Sequence, residues 1–263
     1  MLRIYKELFI ACCKHKIQYC SWKNNNFLQE ELLGVGDIDL LVSSTQSHLF
    51  EKILNDSGFI RVFSSISEYP FIRHYYSYDV MMDKFVHLHV YYKLITGDSH
   101  LKEYRFPVEA LMLKHSILSR KGIKEAHPSH QADMYMLRKY IKSSSLLGLF
   151  LLFRESEDYK SEFNYIKGRI SDNSVKSPPS LFKFDVEFLK PLSFVNLLKI
   201  KRHIKVWHRG VGVVERVSQL NTRILNKLFF HRKKIVNGGV IAIAGLDGSG
   251  KSSAVEMLSK WLS

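Results

Sequence analysis

The chain has 263 residues, 46% hydrophobic and 13% aromatic, which suits one large domain or two ordinary ones and excludes a disordered chain. Its longest mid-chain apolar stretch, Leu146 to Phe153, is far short of the ~20 residues that cross a bilayer, and the N-terminus has no small-residue cleavage site, so no secretory signal is expected. The net charge of +14 is uneven: residues 181–236 hold 13 lysines or arginines against Asp185, Glu187 and Glu215, a local balance of +10.

Residues 1 to about 20 read as a helix, with Leu2, Tyr5, Phe9 and Cys12 or Cys13 at helical spacing. The three cysteines, Cys12, Cys13 and Cys20, lack the fourth ligand and paired spacing of a zinc site. They read as reduced core thiols of a cytoplasmic protein. After the polar run Lys23 to Asn26 comes Gly34-Val35-Gly36, then Asp37-Ile38-Asp39-Leu40-Leu41-Val42, a short strand with a glycine entry. Ser47 to Ser57 reads as a helix closed by Gly58 at its C-cap. Two aromatic, β-branched runs follow, Phe71 to Met81 and Phe85 to Leu94, and Met82-Asp83-Lys84 between them predicts a hairpin. Pro107 opens a helix through Ala110, Leu111 and Leu113, with Glu109 in its first turn. Further helices are predicted over roughly His130 to Lys142 and Ser145 to Phe153.

Ser171 to Ser180, with Pro178-Pro179, is the clearest linker. The basic stretch after it keeps helical spacing around Phe194, Leu197, Leu198 and Ile204, and again from Val213 to Leu228. Such a stretch can meet nucleic acid or an anionic surface, or serve as a solvated helical connector. Gly238-Gly239 then leads into Val240-Ile241-Ala242-Ile243-Ala244, a continuous apolar strand of the buried parallel type.

Two segments carry chemistry. Gly245-Leu246-Asp247-Gly248-Ser249-Gly250-Lys251-Ser252 fits the G-x-x-x-x-G-K-[ST] pattern at every fixed position, between the predicted strand and a helical run from Ser253 to Leu262. Glycines let the backbone turn its N–H groups onto phosphate at a helix N-terminus. Lys251 supplies charge to the β- and γ-phosphates and the Ser252 hydroxyl a ligand for Mg²⁺. Further upstream, Asp37 and Asp39 stand two apart on a strand, so period-two alternation sends both carboxylates to one face while Ile38, Leu40 and Val42 fill the other. Such a pair is costly unless a cation lies between them; Mg²⁺ held against a nucleoside triphosphate is one reason to keep it. An exposed polar strand face is the other reading.

The C-terminal segment resembles the opening of thymidylate kinase and its deoxynucleoside monophosphate kinase relatives, over about the last 25 residues. The resemblance implies ATP binding and places Asp247 against the sugar of the acceptor nucleotide. A kinase of that family continues well beyond Ser263, so the kinase part is expected to be incomplete here and kinase activity from this chain alone is not. Gly36 to Val42 resembles the nucleotidyltransferase fold of the DNA polymerase β superfamily, whose signature is a glycine-containing helix start followed by a strand carrying two aspartates around an apolar residue. That resemblance implies Mg²⁺ held by Asp37 and Asp39, an NTP whose phosphates meet Lys23 in Ser21-Trp22-Lys23, and a third acidic residue from a later strand. The natural strand, Phe85 to Tyr92, offers His87 and His89 on one face instead of an acid. They are expected either to orient or deprotonate the acceptor, or to be ordinary strand histidines. His100, His115, His127 and His130 share no ligand spacing and read as surface residues.

Together these readings give an α+β nucleotidyltransferase-like domain with a helical extension over 1–170, the helical half from Leu101 packing behind the sheet and closing over substrate. A linker and basic helical connector follow over 171–236, then an incomplete P-loop α/β unit over 237–263. The alternative is a non-catalytic nucleotide-binding or regulatory module.

Overall fold

The computed structural model describes residues 1–63, 69, 71–97, 102–143, 156–171, 178–182 and 250–262. These fall into two compact units: a large one holding every described residue through 182, and a small one of which 250–262 are described. The fold of the large unit is mixed α+β.

The first helix, α1 (Arg3–Lys14), buries Tyr5, Leu8, Phe9 and Cys12, the periodicity read in the sequence. It stops six residues before the predicted end. Lys16 adopts φ 53°, Ile17 N–H donates to Cys12 O and Lys16 N–H to Cys13 O, which is a Schellman closure. No glycine announces it, because Lys16 takes the left-handed conformation that glycine would fill without strain. Strand β1 (Tyr19–Ser21) follows, in place of the helix predicted there.

A short helix, α2 (Leu28–Glu31), precedes Gly34 and Gly36, at φ +83° and +93°. A Cβ on Gly34 would stand 3.0 Å from Leu2 Cδ1 and 3.2 Å from Lys84 Cβ, at a φ of +83°, so a side chain at this entry to the next strand would be strained. Strand β2 (Asp37–Val42) runs as expected. Helix α3 (Ser47–Asp56) ends at Gly58, φ +79°, in a second Schellman closure with Phe59 N–H donating to Leu54 O.

Strands β3 (Ile60–Val62), β4 (Ile72–Asp79) and β5 (Lys84–Tyr91) come next. The β4–β5 turn sits two residues earlier than predicted. Asp79 Oδ1 accepts the N–H groups of Met81 and Met82, both at 3.1 Å, and an aspartate bonding its own backbone two residues on starts a turn. The predicted run to Leu94 breaks after Tyr91. Strand β6 (Leu94–Thr96) leaves to pair with β7 (Tyr104–Phe106), and Glu109 Oε1 accepts Leu94 N–H at 2.9 Å. Helix α4 (Glu109–Lys114), strands β8 (Ile117–Leu118) and β9 (Lys124–Glu125), and helices α5 (Pro128–Ser143) and α6 (Ser156–Ser171) complete the large unit's described elements. The predicted helix over Ser145 to Phe153 lies outside the described residues.

One seven-stranded mixed sheet has the order β3-β4-β5-β2-β1-β9-β8. Its two faces part the chemistry from the main core. On one face Ile38, Leu40, Val42, Val86, Leu88 and Val90 pack against α1 and α3 in a single buried cluster. Each such side chain contributes about 2 kcal/mol of burial. On the other, Cys20, Trp22, Leu41, Ile72 and Tyr91 pack against α4 and α5, covering only part of that face. The helical half therefore lies on the same side as the aspartates. Leu181 and Phe182, at the start of the basic stretch, are buried in this second cluster, held by Leu181 N–H donating to Asp133 Oδ2 at 2.8 Å. The rest of the basic connector lies outside the described residues.

Two expectations are corrected. His127 is 5% exposed and His130 0%; with His115 they form a cluster of edge-on rings 5.6–6.1 Å apart, not surface residues. Cys12 and Cys20 are buried thiols, but Cys13 is exposed. Among the described residues no helix is long and apolar enough to cross a membrane.

In the small unit, helix α7 (Lys251–Leu262) begins two residues before the predicted start. Gly250 precedes it at φ +80°, and Ala254 N–H donates to Gly250 O at 2.9 Å.

Candidate active site

Parallel pairing of β2 with β5 puts Asp37 opposite His87 and Asp39 opposite His89. Antiparallel pairing across β4 and β3 continues both rows, Tyr76 and Ile60 in the first and His74 and Val62 in the second. Because side chains on one row share a face, carboxylates, imidazoles and a phenol line up across the uncovered part of the sheet. The aromatic ladder is continuous: Tyr76 stacks on His87 at 4.3 Å and His74 on His89 at 4.3 Å. The rings of His74 and His87 meet through Nδ1 and Nε2 at 3.0 Å.

Asp39 is the buried member of the pair, 2% exposed, whereas the Asp37 side chain is 47% exposed. Lys23 Nζ lies 3.0 Å from Asp39 Oδ1 and His89 Nδ1 3.2 Å from the same oxygen. His89 Nδ1 is 3.8 Å from Asp37 Oδ2, and His87 Nδ1 is 3.9 Å from it. One ligand atom from each of Asp37, Asp39 and His89 lies within 4.8 Å of the others, close enough for all three to share one ion. Oxygen and nitrogen donors at that spacing suit a divalent cation.

Burial would raise the pKa of Asp39, but Lys23 and His89 outweigh it and hold the carboxyl at about 2. Asp37 goes the other way, raised by burial and by the charge of Asp39. Glu31, on α2, is a third carboxyl within electrostatic reach. Burial pushes it up to about 9, with Asp39 and Asp37 adding to the shift. Burial, followed by a neighbouring histidine, lowers His87 to about 3 and His74 to about 4, so both rings are neutral at pH 7.

The loop carrying Lys23 is fixed from the helical half. Glu162 on α6 accepts Asn24 N–H at 3.4 Å and pairs with Arg138 of α5. Asn26 Nδ2 donates to Ser161 Oγ at 3.1 Å, and Lys121 Nζ donates to Asn25 O at 2.9 Å. The polar run between the first helix and the first aspartate is thus a clamped loop. It borders a cavity of about 310 Å³ lined by Trp22, Lys23, Tyr91, Lys102, Arg138 and Glu162, among others. Lys23 Nζ stands 5.4 Å from the Trp22 ring and 5.5 Å from that of Tyr91. Burial, then Lys23, lowers Lys102 to about 8, which leaves it largely charged at neutral pH.

Of the residues singled out in the sequence, Lys23, Asp37, Asp39, His87 and His89 converge on one face. Gly245, Asp247, Gly248 and Ser249 lie outside the described residues. Gly250, Lys251 and Ser252 form the start of α7. Sequence reasoning passed over His74, Tyr76, Glu31, Lys102, Arg138 and Glu162. The observed hairpin register puts residues 74 and 76 opposite 89 and 87, a pairing that the predicted turn at Met82 to Lys84 misses; tertiary packing alone brings in the rest.

No protein-family model and no characterised protein matches the sequence. Among solved structures the chain is similar to the crystal structure of JHP933 from Helicobacter pylori, with 9% identity over 86% of this chain and 95% of that one, at a TM-score of 0.31.

Proposed function

We propose that the large unit is a nucleotidyltransferase-like domain that transfers a nucleotidyl group from an NTP in a divalent-metal-dependent reaction. What carries the reading is Asp37 and Asp39 side by side on β2, with an imidazole in ligand range and Lys23 reaching the adjoining cavity. Asp37 and Asp39 would hold the cation, Mg²⁺ in the simplest case, which when bound offsets charge on the triphosphate and on the leaving pyrophosphate. Lys23 would pair with phosphate oxygens, and Lys102, which lines the same cavity, adds a second positive charge. Trp22 and Tyr91 offer flat walls to the rest of the nucleotide. His87, neutral at pH 7 and beside Asp37, would orient an acceptor hydroxyl by accepting its hydrogen bond.

The small unit would bind ATP through Gly245 to Ser252. The positive φ of Gly250 and a helix beginning at Lys251 fit a phosphate loop, in which Ser252 ligates Mg²⁺ and Lys251 meets the phosphates. A specific observation favours a second reading, a non-catalytic nucleotide-binding module: the residue of β5 opposite Asp39 is His89, not a third carboxylate.

One experiment separates the two. Pyrophosphate release is measured with ATP, CTP, GTP and UTP in the presence of Mg²⁺ or Mn²⁺, together with NTP binding. The transferase reading expects turnover that falls by at least roughly a hundredfold in Asp39→Asn. Nucleotide binding without pyrophosphate release, equal in the parent chain and in Asp37→Ala, leaves only the binding module. Lys251→Ala is expected to remove ATP binding by the small unit and to spare release by the large one.

A further inference from the structure

The donor set at the aspartate pair is not one that Mg²⁺ prefers. That ion takes oxygen ligands in strict octahedral geometry and gives up its waters reluctantly. Imidazole nitrogen is a softer donor, suited to first-row transition ions. At this site the nitrogen is built in. His89 Nδ1 is the ring atom turned toward both carboxylates, 3.2 Å from Asp39 Oδ1 and 3.8 Å from Asp37 Oδ2.

The ring's orientation is set from several sides. The Tyr91 hydroxyl lies 3.2 Å from the same Nδ1, the Tyr91 ring packs at 4.6 Å, and His74 stacks on the other side at 4.3 Å. Two carboxylates of unequal exposure and one imidazole thus bring their ligand atoms within 4.8 Å of one another, with the Lys23 ammonium 3.0 Å from Asp39 Oδ1 as the cation that a metal ion would displace.

We propose that Asp37, Asp39 and His89 form a site selective for a first-row transition ion over Mg²⁺, tested with Mn²⁺ because it is the member of that series nearest to Mg²⁺ in its liking for oxygen ligands and therefore the most stringent comparison. His89 is then a metal ligand and His87, one row away and bonded through Nε2 to His74 Nδ1 at 3.0 Å, is left to orient the acceptor. This divides the two histidines by role. The inference rests on the metal-dependent reading of the site above and adds the identity of the ion.

The test is binding, not turnover. Mn²⁺ is titrated into the full chain by electron paramagnetic resonance, with Mg²⁺ as competitor, and nitrogen modulation is read from the spin echo of the bound ion. The expected result is a preference for Mn²⁺ of roughly a hundredfold, with the ¹⁴N modulation of one coordinated imidazole. In His89→Asp, an all-oxygen set, the preference narrows to about tenfold and the modulation disappears. A preference unchanged in His89→Asp, or an echo without nitrogen in the parent chain, overturns the inference; the echo needs no variant and decides the matter even where the substituted chain does not fold. Absence of binding by either ion overturns the inference and the transfer reading together. Nitrogen-ligated Mn²⁺ with no pyrophosphate release from any NTP leaves the inference standing and removes the transfer reading.

Discussion

Replacing Lys23 by methionine isolates the electrostatics of the site, because the apolar stem beside Trp22 and Tyr91 is kept and the ammonium is lost. In the parent chain the Asp39 carboxyl is held at about 2 against an ordinary 3.8, which contributes about 2 kcal/mol to stability at neutral pH. The folded pKa is depressed, so this contribution is present above about 3.8 and is lost as pH falls through about 2. Without Lys23, burial dominates and raises the carboxyl above its ordinary value, turning a gain into a cost. The expected loss in Lys23→Met at pH 7 is about 3 kcal/mol, the range for breaking a buried ion pair. It shrinks toward pH 4, where Asp39 in the variant takes up a proton. Urea unfolding of both chains at pH 7 and pH 4 measures the two differences. A loss under about 1 kcal/mol at pH 7, or one that does not narrow at pH 4, would refute the claim that Lys23 neutralises Asp39.

Other expectations follow from the same geometry. The folded pKa of Glu31 is raised to about 9 from 4.5, so the parent chain loses stability as pH rises between those values, where the unfolded chain ionises and the folded one does not. Glu31→Gln removes that loss, and its melting temperature relative to the parent should rise from pH 5 to pH 9; parallel curves would contradict the assignment. Leu88 is fully buried between His87 and His89, on the opposite face. Leu88→Ala should cost about 2–5 kcal/mol in chemical unfolding, while circular dichroism of the folded protein keeps its mixed α+β signature.

The fold was legible wherever alternation or helical spacing was strong. Strand β2 and the buried faces of α1 and α3 run as their periodicities require, because burial on one side of the sheet dictates the pattern. Boundaries failed where a single backbone choice overrode the pattern. Lys16 in the left-handed region ends α1 early and frees Tyr19 to Ser21 for the sheet, and Asp79 folds its own turn ahead of the expected one. The pairing of Asp37 with Asp39 could be read from spacing alone, since both sit on one strand. Which imidazole met which carboxylate depended on the parallel register of β2 with β5, a long-range contact that spacing does not encode. For the same reason the clamp of Arg138 and Glu162 on the Lys23 loop was invisible: its members lie more than a hundred residues from the loop they hold.

The ammonium beside Asp39 has a consequence for how this protein comes into being. A chain whose deepest acidic group already has an internal partner of opposite sign does not wait for a divalent ion to complete its folding, unlike small domains that collapse only around their metal. On the proposed metal-dependent reading, newly made protein would mature first and acquire an ion afterwards, so ion supply in the cell would govern how much of it works and leave untouched how much of it survives.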